Sequence, residues 1–122
     1  MSYSLIIAGS RNVDDVADLD INDALRIARW GWPVAVLCGM ARGPDLAGKR
    51  WAEARAIPVW PFPADWDRHG NKAGILRNDE MGRRGDRLLA FYDGKSDGTW
   101  NMISTMRRLS KPWIVIHRLT NS

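Results

Sequence analysis

Leu37-Cys38-Gly39-Met40-Ala41-Arg42-Gly43-Pro44-Asp45 joins an apolar run, Val34 to Cys38, to a segment in which Ala47, Arg50, Trp51 and Ala54 recur at three- and four-residue steps. The stretch reads as a strand, a glycine turn and a helix N-terminus. Pro44 suits the first helical turn, where its missing N–H costs nothing. Free backbone N–H groups and the positive end of the helix dipole favour an anion there. Arg42 adds a guanidinium that can fork onto a phosphate or carboxylate. The same residues also suit an ordinary strand-to-helix turn.

The pattern repeats on both sides. Ser4-Leu5-Ile6-Ile7-Ala8 is a continuous apolar run of the kind found in a buried central strand, and it ends in Gly9-Ser10-Arg11-Asn12. A helix follows, starting at Asp14–Asp15 or at Asp20, with Ile21, Ala24, Leu25 and Ala28 as its stripe and Gly31 and Pro33 ending it. Ile57 to Pro63 is a third strand, whose prolines place it at a sheet edge. Ala64 to Gly74 is a long polar and aromatic loop, the kind of segment that carries function. A helix runs from about Gly74 to Arg84, and Leu88 to Tyr92 is the fourth strand. The loop Asp93–Thr99 leads into a helix near Gly98 with Met102, Ile103, Met106 and Leu109 on one face; Trp113 to Ile116 is the last strand. Five strands alternating with four helices predict one α/β domain over residues 1–122. Its parallel five-stranded sheet carries helices on both faces, in a three-layer arrangement, with order 3-2-1-4-5. In that order the glycine-bearing loops after strands 1, 2 and 4 converge on one crevice beside the switch point between strands 1 and 4.

Composition narrows the function classes. The 122 residues carry a net charge of +4, and most of the 18 basic residues are arginines, which permits phosphate-bearing partners without forming a concentrated nucleic-acid patch. No apolar run reaches the ~20 residues of a membrane span, and Met1-Ser2-Tyr3-Ser4 has no basic leader, so a cytoplasmic protein with no membrane partner is expected. The single cysteine, Cys38, fits a reducing compartment and reads as a buried small hydrophobe. There is no Walker A spacing and no Gly-x-Gly-x-x-Gly after the first strand, so neither a P-loop nor an NAD redox cofactor is expected. The Asp65, Asp67 and His69 spacing matches no metal box, and no metal is expected.

The candidate ligand-binding residues are Gly9, Ser10, Arg11, Gly39, Arg42, Gly43, Arg77, Asn78, Gly98 and Thr99. Arg11 and Arg42 follow strand-terminal glycines, where backbone can approach a phosphate closely. They can equally form structural ion pairs, Arg42 with Asp45. Ser10 can bond the same anion or close its own turn; Thr99 or Asp97 can simply cap the last helix. Arg77 can touch ligand or pin the 65–69 loop. The candidate catalytic groups are Asp45, Asp65 and His69, as acids or bases near neutrality; their alternatives are ion pairing and loop shaping. Trp66 and Trp100 can stack a nucleobase or pack in the structure.

Together the segments Gly9-Ser10-Arg11, Gly39-x-Ala41-Arg42-Gly43-x-Asp45, Phe62-Pro63-Ala64-Asp65-Trp66-Asp67-x-His69-Gly70, Ala73-Gly74-x-x-Arg77-Asn78-x-x-Met81 and Gly98-Thr99 resemble the YspA-related branch of the SLOG superfamily. The likeness runs from about Tyr3 to Ile116. It implies a Rossmann-like domain that binds a nucleotide or nucleotide-derived ligand, in some branches as a sensor in conflict systems, with a phage origin plausible for such small proteins. Family members often dimerise, so a homodimer is allowed. The Gly-x-Ala-Arg-Gly-x-Asp pattern is also similar to that of DNA-processing protein A, which implies single-stranded DNA as an alternative partner. The Lonely Guy hydrolases of the superfamily carry Gly-Gly-x-Gly-Thr-x-x-Glu and cleave an N-glycosidic bond, a third reading. Here Met102 stands at the glutamate position, and Asn101 where most YspA-like sequences have an acid.

Overall fold

Ser4–Gly9 forms β1, the middle strand, and its side chains from Ser4 to Ala8 are all buried. The computed structural model describes residues 2–119. After β1 come α1 (Asp18–Ala28), β2 (Ala35–Cys38), α2 (Pro44–Ala54) and β3 (Val59–Pro61). A short helix α3 (Trp66–His69) and a 3-10 turn (Gly70–Lys72) lead into α4 (Ala73–Arg84), followed by β4 (Arg87–Tyr92), α5 (Asp97–Arg108) and β5 (Trp113–His117). All strand pairs are parallel and the order is β3-β2-β1-β4-β5, as the alternating pattern predicts.

Both faces of the sheet are covered, so the strands read as apolar runs without polar alternation. Leu5, Ile7, Val36, Leu89 and Phe91 face Ile21 and Leu25 of α1 and Trp51 of α2. Ile6, Ala8, Leu37, Leu88 and Ala90 face Met81 of α4 and Met102, Ile103 and Met106 of α5. This architecture is α/β and Rossmann-like. Among the described residues no helix is long and apolar enough to cross a membrane.

Several boundaries differ from the sequence reading, each for a local reason. Helix α1 begins at Asp18, between the two expected starts, because the Asp20 carboxylate turns back to accept the Ala17 N–H at 2.8 Å. Strand β3 covers only three residues of the expected seven, at the edge where the prolines put it. The Phe62 N–H points inward to the Cys38 carbonyl, so Pro61 and Pro63 occupy the alternate positions where outward donors would stand. The expected 64–74 loop contains α3, a single turn capped by Asp65, whose carboxylate accepts the Arg68 N–H at 3.1 Å. One turn is too short to leave a periodic signature.

The end of the sheet opposite the strand carboxyl ends is tied down by side chains. The Tyr3 hydroxyl donates to the Gly31 carbonyl at 2.6 Å, and the Arg87 guanidinium lies 4.3 Å from the Tyr3 ring centroid. Lys111 Nζ donates to the carbonyls of Gly82, Arg83 and Gly85 at 2.8, 3.0 and 2.8 Å, satisfying the open C-terminus of α4 with a cation.

Gly48 lies in the interior of α2, where glycine costs roughly 1 kcal/mol relative to alanine. Its value is close approach: a Cβ there would sit 2.7 Å from Ile7 Cβ on the central strand. Gly48→Ala is therefore expected to destabilise by about 1–3 kcal/mol despite the propensity gain, because overpacking wins. Urea unfolding midpoints check it; a stabilised variant refutes it.

Candidate functional site

The loops leaving β1, β2 and β4 meet, as the strand order requires, and with the start of α4 they enclose a cleft of about 720 Å³. Its walls include Gly9, Ser10 and Arg11 from the first loop, Arg42 and Asp45 from the second, and Gly98 and Thr99 from the third. Trp66, Arg77 and Asn78 close the remaining side.

The loops are locked to one another by a buried hydrogen-bonded knot. Asp93, at the carboxyl end of β4, accepts from the Ser10 hydroxyl at 3.0 Å, the Lys95 and Ser96 amides at 2.9 and 2.8 Å and the Ser96 hydroxyl at 2.9 Å. Burial alone would raise the Asp93 pKa, but these four donors override it and hold the carboxyl well below the usual range. Ser10 Oγ in turn accepts the Asp93 N–H at 3.1 Å and lies 3.2 Å from Thr99 Oγ1. The Ser10 and Thr99 hydroxyls are thus engaged with the protein and brace the cleft floor. The sequence pattern alone gives Asp93 no role beyond opening the 93–99 loop. The signal is an Asp at a strand end ahead of Gly-Lys-Ser, a pattern in which the carboxylate can accept the following backbone N–H groups.

Glycines shape the same floor. Gly43 starts α2 at φ 87° and ψ −134°, and a Cβ would press on the carbonyls of Ser10, Arg11 and Val13, so it lets the first two loops pack. At Gly9 a Cβ would strike the Phe91 carbonyl and Pro44. Gly39 lies between two side chains: a Cβ would sit 2.6 Å from Arg77 Nη1 and 2.7 Å from Asp45 Oδ2. These three glycines are accounted for by packing within the protein. Gly98 is not: nothing lies within 4 Å of the space its side chain would fill.

The ionisable residues divide into engaged and open. Arg77 donates to the Gly39 carbonyl at 2.6 Å and to Asn78 Oδ1 at 3.0 Å. Asn78 passes the connection on, donating to the Gly98 carbonyl at 3.1 Å and to Asn101 Oδ1 at 3.0 Å, which ties α4 to the start of α5. Arg11 and Arg42 are exposed, line the cleft and form no hydrogen bond or ion pair among the described residues. The alternative of an Arg42–Asp45 pair is absent. The guanidinium nearest Asp45 in effect is Arg77, from a different element.

Asp45 is 4% exposed, and its Oδ2 accepts a long bond, 3.4 Å, from the Ala41 N–H. Burial pushes its pKa up to about 6, against the opposing pull of Arg77, the Ala41 and Gly9 amides and Arg11. Beneath it, burial pushes the Cys38 thiol up to about 11, so this cysteine is a protonated core residue. Asp65 and His69 are exposed and do not line the cleft; Asp65 is spent as the α3 cap. The structure therefore does not bring them together with Asp45. Trp66 borders the cleft, whereas Trp100 stacks on Tyr92 at 6.4 Å outside it. Helix α5 begins without a side-chain cap, because the Ser96 hydroxyl is turned to Asp93. Its first N–H groups are available at the cleft wall.

Comparison with known proteins gives two matches of consequence. The family described as YspA, cpYpsA-related SLOG matches residues 4–69, which hold β1 through α3. The chain is also similar to the Gene 61 protein of Mycobacterium phage D29. The two are 37% identical over 116 residues, covering 90% of this chain and 93% of the phage protein. No solved structure gives a significant match.

The raised Asp45 pKa carries a sign. A carboxyl that is harder to ionise in the folded state stabilises folding least above its folded pKa, and the cost disappears as pH falls toward the unfolded value, 3.8. Asp45→Asn should thus be more stable than the parent at pH 7.5, by about 2–3 kcal/mol, with the gap closing between pH 6 and pH 4. Chemical denaturation across that range measures it; a gap that widens on acidification contradicts the assignment. Asp93 is the opposite case. Asp93→Ala should lose about 1–3 kcal/mol at neutral pH through stranded buried donors, while Asp97→Ala on the same loop stays close to the parent in thermal melts.

Proposed function

Because this chain belongs to the YspA, cpYpsA-related SLOG family, we propose that its cleft binds a nucleotide or nucleotide-derived small molecule by the phosphates. One observation carries the reading. Arg11 and Arg42, which have no hydrogen bond or ion pair among the described residues, line the switch-point cleft together with the uncapped start of α5 and the open side of Gly98. Guanidinium groups and helix N-terminal amides are both fitted to phosphate, and the two together suit a ligand with more than one anionic oxygen cluster. Ser10, Thr99 and Asn78 act here as positioning residues, since their polar atoms are engaged with the protein.

A second reading, hydrolysis of a nucleotide or N-glycoside, has one observation in its favour: Asp45 faces the cleft and exchanges its proton near neutrality. Asn101 and Met102 supply no partner acid; the other carboxylate lining the cleft is the exposed Asp97. Free base released from nucleoside monophosphates, and lost in Asp45→Asn, is the outcome under that reading. Binding without base release rules it out.

The binding proposal is tested by thermal shift with AMP, ADP-ribose, cyclic ADP-ribose and NAD. A ligand at a hundred times its Kd should stabilise the fold by about 2.7 kcal/mol. Arg11→Ala and Arg42→Ala should each weaken binding about tenfold or more. His69→Ala should leave it unchanged. A protein that melts identically with every compound refutes the proposal.

A further inference from the structure

A second cavity of about 190 Å³ opens beside the cleft, between the β2–α2 loop and the segment entering α3. Met40, Pro63 and Trp66 line it, and it shares Arg11, Arg77 and Trp66 with the main cleft. Two guanidiniums and an indole thus stand where the two spaces join.

Trp66 is set apart from the other tryptophans. Trp30, Trp32, Trp51 and Trp100 each pack against a ring or a guanidinium. Trp60, Trp66 and Trp113 have no such partner among the described residues, and of these three Trp66 is the most exposed, at 50%, and borders a cavity. Its ring edge rests near Gly74, where a Cβ would meet Trp66 Cη2 at 3.5 Å. Met40 is unusual for a separate reason. Among the described residues four non-glycine residues have positive φ, and Arg29, Ala56 and Ser110 do so just past the ends of α1, α2 and α5, where a left-handed residue commonly closes a helix. Met40, at φ 65°, closes no helix; it stands in the strand-to-helix loop at the mouth of the second cavity. Backbone strain of this kind gathers at ligand sites.

We infer that the second cavity is a nucleobase subsite, in which the base of a bound nucleotide stacks on Trp66 beside Met40 and its phosphates pass Arg11 and Arg77 into the main cleft. The inference rests on the nucleotide-binding reading above and adds the ligand's orientation and class. Apart from the indole N–H and the two guanidiniums, the side chains lining the cavity have no hydrogen-bonding group. Recognition is then by stacking, which every base offers, and the site takes nucleotides with little discrimination between purines.

Titration calorimetry with AMP, GMP and ribose 5-phosphate, on the parent chain and on Trp66→Ala and Trp66→Phe, tests this. AMP and GMP should bind within about threefold of each other, and ribose 5-phosphate about tenfold or more weaker. Trp66→Ala should bring AMP to the level of ribose 5-phosphate without altering ribose 5-phosphate itself, and Trp66→Phe should restore most of the difference. Ribose 5-phosphate binding as tightly as AMP, or Trp66→Ala weakening both ligands equally, overturns the base subsite and leaves phosphate binding standing. If none of the three binds, the base subsite falls, and the thermal-shift panel above decides the nucleotide-binding reading separately.

Discussion

A buried carboxylate ties together the loops at the carboxyl end of the sheet. Asp93 is buried at the carboxyl end of β4, takes four hydrogen bonds and receives through Ser10 the loop that follows the central strand. An ionised group at such depth is tolerable only when its oxygens are fully occupied. That requirement fixes the turn from β4 into α5, seats Ser10 against Thr99 and leaves the first amides of α5 uncapped. The shape of the cleft follows from satisfying one buried charge.

The same accounting separates the residues that build the cleft from those whose side chains stay open to it. Ser10, Thr99, Asn78 and most of Arg77 are committed to protein partners, and Gly9, Gly39 and Gly43 are where they are because backbone and side chains crowd them. Arg11, Arg42, Asp97, the face of Trp66 and the open side of Gly98 remain. Charge and flat aromatic surface dominate this remainder.

The strand order was readable because apolar runs, glycine turns and helical stripes follow one another without ambiguity, and a chain of five parallel strands has few ways to fold. The convergence of the Gly9, Gly39 and Gly98 loops came with it. Partnerships between distant residues were not readable. That Asp45 feels Arg77 more than Arg42 depends on α4 crossing over Gly39, 38 residues away along the chain. The Asp65-x-x-x-His69 spacing suggested chemistry, but Asp65 is a cap on a one-turn helix that swings His69 outward. Local capping and catalysis use the same residue types, and spacing alone does not distinguish them.

The two margins of the sheet also have unequal futures. On the β3 side, Pro61 and Pro63 remove the donors that a further strand would need, next to an inward-facing Phe62. On the β5 side, Trp113 to His117 runs beside β4 for five residues with no proline among them. A further strand can therefore pair more readily next to β5 than next to β3.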